Sequence, residues 1–167
     1  MSSWFNYRFH DEEGNVIFLR GKENIDEHIA SGKYSQRLEI AYRFRGNDKT
    51  NLPDEAMLGK LDNLEHKFEK EFAKDGKAIL ALSFTGKNRR VWYVYTSDVH
   101  SAIVAINMAA NVETELDIIH DTDENWEFYK NFYSKNNRKY FLFQKNIYIC
   151  SDKILNAPKQ IYNTYEI

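Results

Sequence analysis

The segment His120-Asp121-Thr122-Asp123 carries the side chains best suited to hold a metal ion. Imidazole nitrogens and carboxylate oxygens are common ligands of zinc. None of the five histidines, however, falls in a His-x-x-x-His or His-Glu-x-x-His pattern. A calcium loop needs a central glycine, and residues 121–125 contain none. Because an acidic strand end explains the same residues, we predict no metal ion and no cofactor.

Covalent catalysis would need an activated nucleophile, and Cys150 is the sole cysteine. It follows the apolar run Ile147-Tyr148-Ile149, which is typical of a buried strand with an unreactive thiol. The chain has no Gly-x-Ser-x-Gly motif, and Gly86-Lys87 is an isolated turn rather than a phosphate-binding loop. The sequence therefore favours a non-catalytic protein, with a small unassigned enzyme as an alternative.

Charge is distributed very unevenly along the chain. Residues 91–129 contain no lysine or arginine, whereas residues 130–167 carry seven basic residues against two acids. We predict a partner-binding acidic surface made of Glu113, Glu115, Asp117, Asp121, Asp123, Glu124 and Glu127. Such a surface repels nucleic acid and attracts basic proteins, so we expect a basic protein partner.

Length and composition indicate one domain over residues 1–167. Hydrophobic residues make up 43% of the chain, which is enough for one core. No apolar run approaches the roughly 18 residues of a membrane span. The first residues lack the basic and apolar pattern of a secretory signal. We therefore expect a cytoplasmic protein that does not enter membranes.

Two residue periodicities define the elements that would position these side chains. Alternation predicts strands at 37–45, 78–85, 90–96 and 114–121, and spacings of three and four predict helices at 53–75 and 98–111. This order is that of an α+β, ferredoxin-like (split βαβ) antiparallel sheet with its helices on one face. A third helix is predicted at about 123–133.

Further elements are predicted on either side of this core, which we place at about 37–133. Residues 4–32 should form an N-terminal hairpin and a short helix that ends at Gly32. Residues 134–167 should form a C-terminal β extension, with strands at 140–143 and 147–150.

Part of the acidic surface also has a purely structural interpretation. Strands 37–45 and 114–121 should be antiparallel neighbours, so Arg43 or Arg45 could face Glu115 or Asp117. Acids at 121–127 could instead stabilise the start of the third helix. The sequence alone leaves both interpretations open.

Aromatic residues on the strand at 90–96 suggest a further alternative. In an RNA recognition module, aromatics on the third strand stack on bases. Here Arg90, Trp92 and Thr96 depart from that pattern, and the acidic segment disfavours RNA. Trp92 and Val94 share one face, and Tyr93 and Tyr95 share the other. If the face without helices is exposed, its aromatics would add to a protein-binding surface.

Three motifs are similar to those of a known family. These motifs are Leu52-Pro53-Asp54-Glu55, the run Arg90-Val91-Trp92-Tyr93-Val94-Tyr95-Thr96-Ser97-Asp98, and Asp123-Glu124-Asn125-Trp126-Glu127-Phe128-Tyr129. Over about residues 4–133 the chain resembles the bacterial domain of unknown function 695 family. That family is similar in fold to regulator of ribonuclease activity B, and domains of this type occur as immunity proteins beside secreted toxins.

The resemblance implies a ferredoxin-like binding module without a known activity. Together with the acidic segment, it leads us to expect an immunity protein that neutralises a basic toxin, with a nuclease as the natural candidate. A regulator of RNA turnover, acting on RNA or on an RNA-degrading enzyme, is the alternative.

Overall fold

A computed structural model describes residues 3–133, which form a mixed α+β fold around one open antiparallel sheet. In the described residues the sheet has six strands in the order β1-β2-β4-β5-β3-β6. The elements are β1 (Trp4–His10), β2 (Val16–Lys22), α1 (Asp26–Ala30), β3 (Gln36–Arg43), α2 (Glu55–Phe72), β4 (Ala78–Gly86), β5 (Arg89–Thr96), α3 (Val99–Ala109), β6 (Asp117–Thr122) and α4 (Glu127–Phe132).

The central hairpin joins β4 and β5, and every residue of both strands is buried. Lys87 and Asn88 form its turn, both with positive φ, as a tight turn between twisted strands requires. Asn88 suits this conformation because its short polar side chain tolerates the left-handed region. Because both faces of these two strands are buried, other elements of the fold must cover each face.

One face of the sheet is covered by α2 and α3. Leu61, Leu64, Phe68 and Phe72 of α2 pack there against a strand layer that includes Trp92 and Val94. Helix α3 adds Ala102, Ile103, Ile106 and Ala109. Both predicted helices are therefore present, and the Asp98 carboxylate caps α3 by accepting a hydrogen bond from the Ser101 amide (3.1 Å).

The opposite face is also covered, so the prediction of helices on one face only is wrong. Trp126, Tyr129 and Phe132 of the α4 segment pack over β5 and β4 in a second apolar cluster. Ile25, at the start of α1, joins the same cluster. Since β5 carries Tyr93 and Tyr95 on this face, a second layer was needed to remove these rings from water.

The N-terminal hairpin is confirmed and extends the sheet rather than lying over it. Strand β2 pairs with β4, and β1 pairs with β2 at the edge. Gly21 in β2 faces Phe5 across the pair, where an added Cβ would lie 2.0 Å from the Phe5 Cζ atom. A glycine at this position therefore lets the Phe5 ring lie flat on the hairpin.

Strands β3 and β6 are antiparallel neighbours, as predicted, although β6 begins at Asp117 rather than at 114. The third helix is also shorter than predicted. It spans Glu127–Phe132. Trp126 has a left-handed backbone conformation (φ 56°), so the α-helix cannot include Trp126 or start before it. The predicted C-terminal strands at 140–143 and 147–150, and Cys150, lie outside the described residues.

Candidate functional site

Strand β6 forms one edge of the sheet in the part of the chain that the structure describes. It pairs with β3 from Ala41 opposite Asp117 to Gln36 opposite Thr122. Ile118 points into the core beneath α2 and α3, whereas His120, Asp121 and Thr122 are exposed. The seven predicted binding acids lie on this strand and immediately before and after it.

Asp117 forms the predicted cross-strand ion pair. Its carboxylate lies 2.8 Å from Arg43 Nε, and both side chains are partly exposed. Arg45 instead lies near Asp48, and Glu115 has no ion pair with a described residue. An exposed pair of this kind contributes little to stability, about 1 kcal/mol or less. Asp117 therefore has a structural partner but still adds negative charge to the edge.

Asp121 belongs to a denser ionic cluster around Arg37. The Arg37 guanidinium lies 3.1 Å from Glu39, 3.2 Å from Asp121 and 3.7 Å from Asp123. Its planar face also lies over the Phe128 ring, 4.4 Å from the centroid. Arg37 and Glu39 are both buried, and Phe128 of α4 covers the Arg37 guanidinium. Of the three acids around Arg37, only Asp121 remains mostly exposed.

Asp123 has a structural role at the start of α4, which is one of the two interpretations that the sequence left open. Its carboxylate accepts hydrogen bonds from the amides of Glu127 (2.8 Å) and Phe128 (3.1 Å) at the start of α4. It also accepts a hydrogen bond of 2.6 Å from the Tyr95 hydroxyl. Burial, followed by the nearby Asp123 carboxylate, raises the pKa of Tyr95 well above its usual range. The Asp123 side chain is only 9% exposed, and its carboxylate is already hydrogen-bonded within the fold.

Trp126 fixes α4 to the sheet. Its ring stacks on Tyr95 with 3.7 Å between centroids and an angle of 6°, and Tyr129 meets it edge to face. The Tyr129 hydroxyl donates a hydrogen bond of 2.6 Å to the Lys22 carbonyl of β2. Helix α4 is thus attached across the sheet from β5 to β2.

The remaining four acids are exposed and form no ion pair or side-chain hydrogen bond with any residue in the described part of the chain. We call them the edge glutamates: Glu113, Glu115, Glu124 and Glu127. Two of them precede β6 and two follow it, with Asp117 and Asp121 between them along the strand. A six-residue strand is about 17 Å long, so these acids give the edge an extended negative surface.

The aromatic side chains of β5 do not contribute to a binding surface. Trp92, Tyr93 and Tyr95 are fully buried, with Trp92 against Phe68 of α2 and Tyr93 against Phe128 of α4. The suggested exposed aromatic face is therefore wrong. Bases could not stack on β5 in the manner of an RNA recognition module, because α4 occupies that face.

A buried ionic cluster under α2 was not predicted from the sequence. Glu65 is 4% exposed and accepts hydrogen bonds from Trp92 Nε1 (2.9 Å) and from Arg20 Nη1 (3.0 Å). Arg90, also buried, bonds to Asp62 (2.6 Å) and to Thr85 Oγ1 (2.7 Å). The sequence signal for this cluster was Arg90 in a largely apolar strand, because a buried cation needs a carboxylate partner.

A family model matches residues 2–134, and its description is a family of unknown function, DUF695. The match covers well over half of the chain. The chain belongs to the DUF695 family. No curated protein and no solved structure gave a significant match.

The motifs that suggested DUF695 have structural roles in this chain. Each contains an aspartate whose carboxylate accepts a hydrogen bond from a backbone amide at the start of a helix. The Met57 amide donates to Asp54 (2.8 Å), and the Ser101 amide donates to Asp98 (3.1 Å). Asp123 acts in the same way at α4. The aspartates of these motifs therefore have a structural role, whereas Glu124 and Glu127 of the third motif belong to the edge glutamates.

No group of three His, Cys, Asp or Glu side chains within 3–133 is placed to hold a metal ion. His120 instead contacts Gln36 through Nε2, at 2.6 Å. No helix in the same part of this DUF695 chain is long and apolar enough to cross a membrane.

Proposed function

We propose that this DUF695 chain is a non-catalytic, cytoplasmic protein-binding inhibitor that docks a basic partner along its β6 edge. The observation that supports this proposal is the set of edge glutamates, which have no cation among the described residues. Unpaired surface carboxylates clustered along one edge attract a positively charged protein before contact and select it against acidic competitors.

The partner class that we propose is a bacterial toxin with a nuclease activity, which this chain would neutralise as an immunity protein. Nucleases need a positive surface because they contact the phosphates of nucleic acid. An acidic inhibitor fits such a surface by charge and excludes the substrate from it. Among the described residues no strand pairs with the outer side of β6, so its backbone groups there would add hydrogen bonds to a strand of the partner.

We further propose that the core belongs to the ferredoxin-like class. The order β4-β5-β3-β6 supports this, because the first and third of these four strands in chain order, β3 and β5, lie in the centre, as in a split βαβ unit. Helices α2 and α3 share one face, which also fits that class. The hairpin β1-β2 and helix α4 would then be additions to the core.

The alternative function, a regulator of RNA turnover that touches RNA, receives no support from β5. Tyr93 and Tyr95 lie beneath α4 and cannot stack on bases. An inhibitor of an RNA-degrading enzyme, by contrast, would use the same acidic edge as an inhibitor of a toxin. Identification of the partner separates the two.

The test is capture of the partner from the native host with three forms of the full chain. The first is the wild type, and the second carries lysine at all four edge glutamates. The third is a matched control with lysine at four other exposed acids that form no ion pair with a described residue. These control acids are Glu12, Asp26, Glu27 and Glu55.

Both variants change the net charge by the same amount. We expect the wild type and the control to retain one basic protein that the edge variant loses, and we expect the wild type to suppress the toxicity or nuclease activity of that protein. Equal capture by all three forms would refute the proposed surface. Capture of a partner without nuclease or toxic activity would refute the proposed inhibitory role.

A further inference from the structure

A second candidate site lies away from β6, in a cleft of about 410 Å³. The cleft is bounded by the end of β2, the start of α1, the C-terminal end of α2 and the start of β4. A volume in this range is that of a small-molecule site. The cleft contains none of the acids of the β6 edge.

The floor of the cleft is apolar. Ile25, Phe72, Ile79 and Leu80 line it, and all four are buried in the two apolar clusters of the fold. These side chains leave room for a short hydrocarbon, whose transfer from water would stabilise a complex.

The rim of the cleft is polar and carries one unneutralised charge. Lys22 Nζ lies 2.8 Å from Glu69 Oε1, so these two charges compensate each other. Glu23 accepts a hydrogen bond from Ser3 Oγ but forms no ion pair with a described residue. The cleft therefore has a net negative charge at its mouth, above an apolar floor.

Two further features favour a cation over an anion. The cleft includes Phe72 and Ala73 at the C-terminal end of α2, where the helix dipole is negative. His28 also lines the cleft, and its Nδ1 is buried without a hydrogen-bond partner among the described residues. In the tautomer with its proton on Nε2, this Nδ1 is a hydrogen-bond acceptor to which an ammonium group can donate.

We propose that this cleft binds a primary ammonium group on an alkyl stem, with the stem over Ile25 and Phe72 and the ammonium group at Glu23. The same chemical group occurs in a free alkylamine and in a lysine side chain of a protein. This inference goes beyond the proposed inhibitory function and does not depend on it, since the residues of the cleft and of the β6 edge are different.

The test is a titration of the isotope-labelled full chain, followed by amide chemical shifts, with hexylamine as the probe. Hexanol and hexanoate are the neutral and anionic controls. We expect saturable shifts around Asn24, His28 and Gly76 with hexylamine, and much weaker binding of both controls. A charge-assisted hydrogen bond is worth about 1.5–3 kcal/mol, so Glu23→Gln should weaken hexylamine at least about 10-fold.

Three further arms complete the experiment. Ala73→Phe places a ring in the cleft and should abolish the shifts, whereas Glu12→Gln, in the distant β1-β2 turn, should not alter them. The peptide acetyl-Gly-Lys-Gly-amide tests the second source of the ammonium group. Tighter binding of the peptide than of hexylamine would assign the cleft to a protein lysine, and the reverse would assign it to a free amine.

The proposal is overturned by any of three results. These are the absence of saturable shifts at the cleft, equal binding of hexanol and hexylamine, or an unchanged affinity in Glu23→Gln. Amide shifts distant from the cleft report whether each variant is folded. Loss of the partner in the capture experiment would leave this result unaffected.

Discussion

Single aspartates mark the start of α2, α3 and α4, whereas α1 begins after Ile25 without a side-chain cap. Asp54, Asp98 and Asp123 each accept a backbone amide hydrogen bond at the first turn of a helix. A carboxylate at such a position interacts favourably with the helix dipole as well. Much of the acidity that is visible in the sequence is therefore used within the fold. This use distinguishes Asp123 from the glutamates beside it.

Asp98 should make stability depend on pH in the acidic range. Hydrogen bonds from the Ser101 amide and hydroxyl, with the Lys77 ammonium, hold the pKa of Asp98 well below its usual range. Because the pKa in the folded protein lies below that in the unfolded chain, the stabilisation is complete above about pH 4 and is lost as the pH falls. We predict that Asp98→Asn lowers the urea midpoint at pH 6 and that this difference shrinks towards pH 2.5. A difference that is constant with pH would contradict the prediction.

Phe68 is central to the apolar layer beneath α2. It is fully buried, meets Trp92 edge to face at 5.2 Å and stacks on Phe72 at 6.1 Å. Phe68→Ala should lower the free energy of unfolding by about 3–5 kcal/mol, because it removes a ring from a packed core. Urea unfolding followed by circular dichroism measures this. A loss below about 1 kcal/mol would mean that this layer is not the main core.

At the scale of elements, α2 and α3 follow directly from the sequence, whereas α4 does not. The regular spacing of Leu61, Leu64 and Phe68 identifies the buried face of α2 without any tertiary information. Helix α4 is only six residues long, and its position depends on Trp126 and Tyr95, which are distant in sequence. A pattern within one segment cannot reveal such a contact, so the covered second face was missed.

The buried ionic clusters were missed for a related reason. Arg37 and Glu39 alternate with apolar residues in β3 as exposed residues of a surface strand do. Their burial depends on α4, which places Phe128 over the Arg37 guanidinium. The edge glutamates, by contrast, are exposed and form no ion pair with a described residue.

Trp126 should control whether α4 stays on the sheet. The Trp126→Ala change removes the stack on Tyr95 and the edge contact with Tyr129. We predict a loss of about 3–5 kcal/mol in stability. We also predict faster hydrogen exchange at the amides of Lys130 and Tyr133, which bond to carbonyls of Trp126 and Tyr129. Protection of these amides equal to that in the wild type would contradict the docking role. Exchange in β4 and β5 serves as the control for global unfolding.

At the scale of the whole molecule, the edge glutamates and the two apolar cores occupy different parts of the sheet. The cores lie on its two faces, while the edge glutamates lie along one margin at β6. Side chains at a margin can be changed without opening either core. The charge variants should therefore remain folded, provided that Asp123 is left in place. Asp117 and Asp121 are also retained in the edge variant because each has an arginine partner.

The central claim is that the edge glutamates attract a basic partner. Its most direct test is the association rate between the captured partner and three forms of this chain, measured at several salt concentrations. Attraction acts before contact and is screened over about 8 Å at physiological ionic strength. The wild-type rate should therefore fall as salt rises. Lysine at all four edge glutamates should lower the association rate at low salt at least about 10-fold and flatten its salt dependence. The control variant should keep most of the wild-type rate and most of its salt dependence. An unchanged rate and salt slope in the edge variant, or the same loss in the control variant, would contradict the claim.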